Sequence, residues 1–216
     1  MKKFVLLFTA FFAVVPMAWS QITHTAAGAT DKMANETLRK VQRQFSQSVS
    51  FKISMTSTDS KQQSLSSQQA TVFYDNGKYW MSFDNQELMC DGTTVWHWNK
   101  PAKEVTVSAL STDDVNLLNP ASIIKNYSKY FRAKHIRTEN DGLMVIDMQP
   151  LSGKSYHKIR LIVDGKTGII KSMEVHKYDS SREIYRVENF KKVSVKASLF
   201  VFDTKQHPDV EVIDMR

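Results

Sequence analysis

Short β-rich segments separated by turn residues dominate this sequence and limit the folds that it can adopt. From Val49 onwards they recur roughly every 8–15 residues, which gives about eleven or twelve antiparallel strands. The separators include Asp75-Asn76-Gly77 and Asp91-Gly92, which suit the tight turns of β-hairpins. Because no linker or shift in composition divides the strands, the sequence predicts one strongly curved meander sheet or barrel.

Two segments that do not follow this pattern of short β-rich runs indicate helices. In residues 31–47, apolar side chains recur at helical spacing while lysines and arginines occupy the other side. This is the pattern of an amphipathic helix, and Thr30 or Asp31 can cap it. In residues 111–129, Pro120 follows Asn119 as in the first turn of a helix, which predicts one or two short helices there.

The N-terminus has the three parts of a secretory signal peptide: a basic start, an apolar run from Phe4 to Val15, and small residues before a cleavage point between Ser20 and Gln21. The run is short for a bilayer span, which needs roughly 20 residues, so an uncleaved anchor is the alternative interpretation. We therefore expect residues 1–20 to be a signal peptide, 21–30 a flexible leader and 31–216 a single domain.

Charge and cysteine content limit the partners that the protein can bind and the covalent or metal links that can stabilise it. The chain has 29 Lys and Arg against 22 Asp and Glu, a formal charge of +7, but the basic residues are scattered as on a solvated face. Together with export, this argues against a nucleic-acid partner. The single cysteine, Cys90, excludes an intrachain disulfide and a cysteine-based zinc site, so packing must supply the stability.

The sequence patterns of common catalytic and cofactor sites are missing. Ser152-Gly153-Lys154-Ser155 resembles the end of a phosphate-binding loop, but Met148 stands where the first glycine belongs. The six histidines are isolated, and Cys90 is interpreted as a small buried side chain. We therefore predict no catalytic residue, no metal and no cofactor, in a protein that is not an enzyme.

Several strands are apolar on both faces. Tyr79, Met81 and Phe83 alternate with Trp80, and the strand that follows the Asp91-Gly92 turn is apolar on both sides as well. A sheet with one solvated face would alternate more cleanly. Either both faces are covered, or the sheet encloses apolar space for a ligand. On composition alone, a core packed around the helices is the simpler interpretation of the aromatic and methionine side chains.

Particular segments resemble a known family. Residues 87–99 contain a strand, an Asp-Gly turn and a Trp-His-Trp-Asn strand, and residues 103–107 add a further short strand. The aromatic strand 79–83 precedes them, and 200–214 carries a closing Phe-Val-Phe and His-Pro-Asp-Val pattern. In the same order, with the opening helix, these segments resemble the periplasmic lipoprotein carriers of the LolA type. The turn at 75–78 departs from the family, many of whose members carry a basic residue before a proline there.

The resemblance implies a mainly β fold: an unclosed half β-barrel of about 11 antiparallel strands with a helical lid over an apolar cavity. It implies a monomeric periplasmic carrier that shields the acyl chains of lipoproteins. Such a carrier receives them from an inner-membrane ABC-type transporter and delivers them to an outer-membrane acceptor or to the outer membrane itself. Because no cysteine follows the signal peptide, the carrier is favoured over the lipid-anchored acceptors of the same fold. The alternative function is a periplasmic binding or sensor module for another lipid or apolar ligand. A lipid-modifying enzyme is the third function considered, and the missing nucleophile motifs argue against it.

A carrier of this kind must also release its cargo. Burying one acyl chain of about 15 methylenes is worth on the order of 12 kcal/mol, so the lid has to compete for the cavity. We expect apolar residues of the opening helix and of the second helical segment to close on the aromatic strands when the cavity is empty. The predicted cavity residues are Leu38, Val41, Phe45, Phe51, Tyr79, Met81, Phe83, Trp96, Trp98, Ile123 and Ile124.

Overall fold

A computed structural model of the protein describes residues 31–110, 124 and 127–216. The predicted signal peptide and leader lie outside the described residues. The same holds for Ile123 and for most of the segment in which the second helical region was predicted. Within the described part, no helix is both long enough and apolar enough to span a membrane.

The amphipathic helix predicted near the start is confirmed as α1 (Lys32–Gln44). Asp31 caps it, because its Oδ1 atom accepts a hydrogen bond from the backbone N–H of Ala34 at 2.7 Å. One stripe of the helix is buried against the sheet, formed by Ala34, Thr37, Leu38 and Val41. A second, short helix, α2 (Tyr127–Tyr130), leads directly into a strand.

Strands make up most of the described chain, and hairpin turns separate nearly all of them. They are β1 (Val49–Thr58), β2 (Ser64–Asp75), β3 (Lys78–Phe83), β4 (Gln86–Cys90), β5 (Thr94–Asn99), β6 (Glu104–Ala109), β7 (Phe131–Thr138), β8 (Leu143–Pro150), β9 (Tyr156–Asp164), β10 (Ile170–Lys177), β11 (Arg182–Lys192) and β12 (Glu211–Asp214).

All described strands belong to one sheet with the order β12-β6-β5-β4-β3-β2-β1-β11-β10-β9-β8-β7. Two antiparallel meanders, β1–β6 and β7–β11, are joined by the pairing of β1 with β11. Because the order begins at β12 and ends at β7, the sheet is not closed, which confirms the predicted mainly β, open architecture. The last pairing departs from the antiparallel prediction, since β12 runs parallel to β6.

The antiparallel order places the hairpin turns alternately at two ends of the sheet. We call one the helix end; it contains the turns at 76–77, 91–93, 139–142 and 165–169. We call the other the far end; it contains the turns at 59–63, 84–85, 100–103, 151–155 and 178–181.

Helix α1 is fixed over the helix end by the β9–β10 turn. Lys40 Nζ donates to the carbonyl oxygen of Gly165 at 2.5 Å, and Gln44 Nε2 donates to that of Thr167 at 2.6 Å. Gly168 lies directly beneath the backbone of Lys40 and has a φ of +77°, a conformation that favours glycine. The helix therefore packs over one face of the sheet near the helix end. We call this face the inner face and the opposite one the outer face.

The outer face carries a second apolar cluster, formed by Met89, Val105 and Phe202 with Trp80, Trp96, Trp98 and Val210. Residues 194–202 have the β-rich composition of a strand but do not form one. Instead, a 3₁₀ turn at Ala197–Phe200 contacts β3 and β4, and Phe200 is fully buried. The chain crosses the outer face because this arrangement buries Phe200 and Phe202. Several strands are apolar on both sides because this segment covers the face opposite α1.

We predict that Asp31→Ala lowers the free energy of unfolding by about 1–2 kcal/mol. The carboxylate joins two elements, since it caps α1 and its Oδ2 atom accepts the backbone N–H of His135 in β7 at 2.5 Å. Urea unfolding measures the loss. Asp59→Ala is the matched control, because Asp59 also accepts two backbone N–H groups but only within its own exposed turn. Equal losses in the two variants would contradict a role in holding α1 to β7.

Candidate functional site

An apolar cavity of about 100 Å³ lies on the inner face, between the part of the sheet covered by α1 and the far end. Strands β1, β2, β3 and β11 form its walls. The lining residues are Ile53, Met55, Gln68, Gln69, Ala70, Met81, Phe83 and Tyr185.

The space exists because a small side chain sits among large ones. Ala70 of β2 pairs with Ile53 of β1 on one side and with Phe83 of β3 on the other. Side chains of directly opposite residues are near neighbours on one face of a sheet, so the missing volume at Ala70 is left between them. Phe51 in β1 is only 3% exposed, whereas Met55, nearer the far end, is half-buried. The cavity therefore lies beyond the cover that α1 provides.

One polar network adjoins the cavity. The hydroxyl of Tyr185 donates to Glu183 Oε2 at 2.8 Å, and Lys177 Nζ lies 2.5 Å from the other carboxylate oxygen. Burial raises the pKa of Tyr185, and the neighbouring Glu183 carboxylate raises it further, so the hydroxyl keeps its proton at neutral pH. Since Glu183 already has a cation and a donor, this network is satisfied and leaves the cavity to apolar ligands.

An aromatic cluster closes the cavity region at the helix end. Phe45, which follows α1, makes edge contacts with Tyr74, Phe190 and Phe51, with ring centroids 5.5, 5.8 and 6.2 Å apart. Edge-to-face arrangements of this kind are favourable for aromatic rings. Movement of α1 away from the sheet would have to break these contacts.

The structure brings together most of the predicted cavity residues. Met81 and Phe83 line the cavity itself. The others in the same inner cluster are Leu38, Val41, Phe45, Phe51, Tyr79 and Ile124. Ile124 is held beside α1, since its carbonyl oxygen accepts a hydrogen bond from Gln42 Nε2 at 3.0 Å. Ile123 lies outside the described residues.

Trp96 and Trp98 are not in this cluster. In the register of β4 with β5, Trp96 is opposite Met89, whereas Val95 is opposite Cys90 of the inner cluster. Trp98 instead contacts Phe202 and His207 of the segment that crosses the outer face, with ring centroids 5.3 and 4.5 Å apart. These two tryptophans therefore do not line the cavity, because alternate residues of a strand point to opposite faces.

Sequence reasoning missed much of the lining. The alternation of Phe51, Ile53 and Met55 in β1 is a signal that could have identified Ile53 and Met55. Tyr185 carries no comparable signal. It reaches the site because β11 pairs with β1, which places Tyr185 opposite Met55 across a long stretch of sequence.

The one cysteine lies in the inner cluster and is fully buried. Its Sγ atom accepts the backbone N–H of Gly92 at 3.3 Å, and burial raises the pKa of Cys90, so it is a thiol at neutral pH. Within the described residues, no group of three His, Cys, Asp or Glu side chains could hold a metal ion. The site as described is equipped to bind apolar groups.

The family model of the outer membrane lipoprotein carrier protein LolA matches residues 36–203. No curated protein sequence matches the chain. Among solved structures, an uncharacterized conserved protein from Thermus thermophilus superposes with a TM-score of 0.59 at 10% identity, over 84% of this chain and 98% of that one. This superposition shows the shared fold.

Two further solved structures are similar at TM-scores of 0.45. A LolA superfamily protein from Nitrosomonas europaea is 10% identical, and LprF from Mycobacterium bovis is 11% identical. Each alignment covers 79% of this chain and 98% of the other.

Proposed function

The chain belongs to the LolA family of outer membrane lipoprotein carrier proteins, and from this membership we propose that it is a periplasmic carrier of lipoproteins. It holds their acyl chains in the inner-face cavity and transfers them from the inner to the outer membrane. The observation that carries the proposal is the apolar space at Ala70, bounded by Met55, Met81 and Phe83. Family membership supports a periplasmic, carrier-like role in binding lipoproteins or other lipids.

The cavity has to expand to accept such cargo. A volume of about 100 Å³ is well below the roughly 300–1,000 Å³ of pockets that hold drug-sized ligands. Cargo therefore displaces side chains of the inner cluster, and the contacts of Phe45 with Phe51 and Tyr74 are among those that it replaces. Those contacts re-form when cargo leaves. The net binding free energy is therefore well below that of full acyl burial, which is on the order of 12 kcal/mol.

The proposed partners follow from this role. A monomer of the carrier receives acylated lipoproteins from an inner-membrane ABC-type transporter and passes them to an outer-membrane acceptor or to the outer membrane itself. No cofactor and no catalytic group takes part.

The small volume of the cavity favours one alternative. A periplasmic binding or sensor module for a smaller lipid or apolar ligand would need less expansion than a lipoprotein carrier does. Such a module would use the same lining residues but would leave the contacts of Phe45 with Phe51 and Tyr74 intact.

The two functions predict different bound material. We expect protein purified gently from its native periplasm to carry triacylated lipoprotein, detectable by mass spectrometry of the intact complex. A discrete small lipid as the sole bound species would favour the binding module and contradict the carrier. Turnover of added lipid would identify an enzyme and overturn both. Preparations that neither contain nor bind any acylated molecule would also exclude the carrier.

A further inference from the structure

We propose that the outer face of β1 and β7–β11 binds an acidic surface of another folded protein. This inference does not rest on the proposed carrier function, because it needs neither the cavity nor cargo.

Basic side chains that are scattered along the sequence gather on this half of the outer face. In each of these strands, inner-cluster residues such as Ile53, Ile159 and Met173 alternate with residues that point outward. Eight outward residues are cationic and three are acidic, a net formal charge of +5 against +7 for the whole chain. Arg137 and Asp164, at the helix end of the same face, cancel each other. The eight cations are Lys52, Arg132, Lys134, Lys158, Arg160, Arg182, Arg186 and Lys191, and the three acids are Asp147, Glu174 and Glu188.

This half of the outer face is open to solvent in the part of the chain that the structure describes. The segment at 193–210 crosses the other half, where its 3₁₀ turn contacts β3 and β4. Six strands spaced about 4.8 Å apart make the basic half about 24 Å wide, the scale of one side of a protein interface. Four of its cations are classed as exposed: Lys52, Lys134, Arg186 and Lys191.

Cations of this face already balance its three carboxylates. Arg160 donates from Nε and Nη2 to the two carboxylate oxygens of Asp147 at 2.7 and 2.8 Å. Oε2 of Glu174 lies 4.0 Å from Nη1 of Arg182, and Glu188 is directly opposite a lysine of β1. The surplus of positive charge on the face is therefore not cancelled by its own acids.

Three of the surplus cations are free to meet a partner. Lys134, Arg186 and Lys191 make no ion pair or hydrogen bond with another described residue. Because their side chains are exposed and unpaired, an acidic surface can approach them without breaking a contact within the protein. A cluster of one sign of charge also speeds the encounter with a surface of the opposite sign.

The positive field of the face is visible at its one histidine. Burial lowers the pKa of His176, and the positive charges of Lys158 and Arg182 lower it further. The pKa is lowered although Oε2 of Glu174 lies 3.4 Å from Nε2 of the imidazole. The cations therefore outweigh the nearest carboxylate at this position.

Two features favour a folded protein over an anionic bilayer as the partner. No outward residue of β8–β11 is an exposed large hydrophobic side chain, so these strands have no anchor to insert below lipid headgroups. Carboxylates also lie between cations across the strands, in the order Lys134, Asp147, Arg160 and Glu174 from β7 to β10. A uniformly anionic surface would repel these carboxylates, whereas a protein can place its own charges to match them.

Fluorescently labelled poly-L-glutamate tests the proposal with cargo-free protein. We expect wild-type protein to bind the polymer and to release it as salt rises, because salt screens exposed charges. Lys134→Gln/Arg186→Gln/Lys191→Gln removes three cations that have no described partner, and it should weaken binding by about tenfold at low salt. Fluorescence anisotropy measures the dissociation constant.

Lys32→Gln/Lys61→Gln/Lys205→Gln is the matched control. It removes the same charge at three exposed positions, in α1, in the β1–β2 turn and in the segment that crosses the other half of the outer face. It should weaken binding by less than about twofold, since these lysines are not part of the basic face. Urea unfolding should give both triple variants nearly the stability of wild type, because all six side chains are exposed.

Three outcomes would overturn the proposal. Two of them are wild-type protein that does not bind poly-L-glutamate at low salt, and equal losses of binding in the two triple variants. Vesicles of phosphatidylglycerol and phosphatidylcholine give the third. Tighter binding to vesicles than to the polymer at equal concentrations of anionic groups, lost in the basic-face variant, would assign the face to a bilayer instead.

Discussion

Gly168→Ala is expected to lower the free energy of unfolding by about 2–4 kcal/mol. At a φ of +77° an L-residue costs about 1–2 kcal/mol relative to glycine. A Cβ atom at this position would also lie 2.7 Å from the carbonyl carbon and the Cβ atom of Lys40 and 2.8 Å from its carbonyl oxygen. Two of those atoms belong to the helix backbone, so α1 itself has to move away from the β9–β10 turn.

Gly77→Ala separates the cost of the backbone conformation from the cost of the steric clash with Lys40. Gly77 has a φ of +96°, but nothing lies within 4 Å of a Cβ atom placed there, so this variant carries only the backbone cost. Urea unfolding of both variants should show the larger loss at Gly168. Hydrogen exchange should show faster opening of α1 in Gly168→Ala but not in Gly77→Ala. If both variants lose the same free energy, the close approach of helix and turn does not hold α1 in place.

The way in which α1 is held bears on cargo entry. Gly165, Thr167 and Gly168 fix its second half at the helix end, whereas the cavity lies towards the far end. Entry from the far end requires rearrangement of side chains such as Met55 and Phe83 but leaves these contacts intact. We therefore propose that the C-terminal half of α1 acts as a fixed wall, and that cargo shifts the Phe45 side chain without moving the helix backbone.

Much of the fold was predictable because its signals are local. The Asp75-Asn76-Gly77 and Asp91-Gly92 turns and the strands beside them follow from turn chemistry and short-range alternation. Helix α1 follows from its apolar stripe and from the capping residue Asp31. Each of these features depends on residues within one turn or one hairpin of each other.

The features that were not predictable depend on contacts between distant parts of the chain. Local alternation does not say which face of β5 points inward, so Trp96 and Trp98 were assigned to the wrong side. The segment at 194–202 has β-rich composition but buries Phe200 and Phe202 across the outer face. In both cases the decisive partner lies far along the chain or belongs to another layer, and tertiary packing overrides the local pattern.

Ala70→Phe is expected to reduce the affinity for acyl chains by about two orders of magnitude. The phenyl ring would occupy the space that the small side chain leaves between Ile53 and Phe83. Excluding three to four methylenes, at about 0.8 kcal/mol each, costs about 3 kcal/mol of binding free energy. Because the ring fills existing space and buries more apolar area, the free energy of unfolding should stay close to that of the unmodified protein. Titration with a fluorescent fatty acid measures the affinity, and urea unfolding measures the stability.

Thr71→Phe is the matched control, since it places the same ring one residue further along the same strand. Thr71 pairs with Lys52 and Ser82, whose side chains lie on the outer face, so the added ring points away from the cavity. This variant should bind acyl chains like the unmodified protein. Equal losses in both variants would mean that the ring acts through the strand and not through the cavity. Normal binding by Ala70→Phe would place the acyl chains elsewhere on the inner face, because a ligand in this space cannot coexist with the phenyl ring.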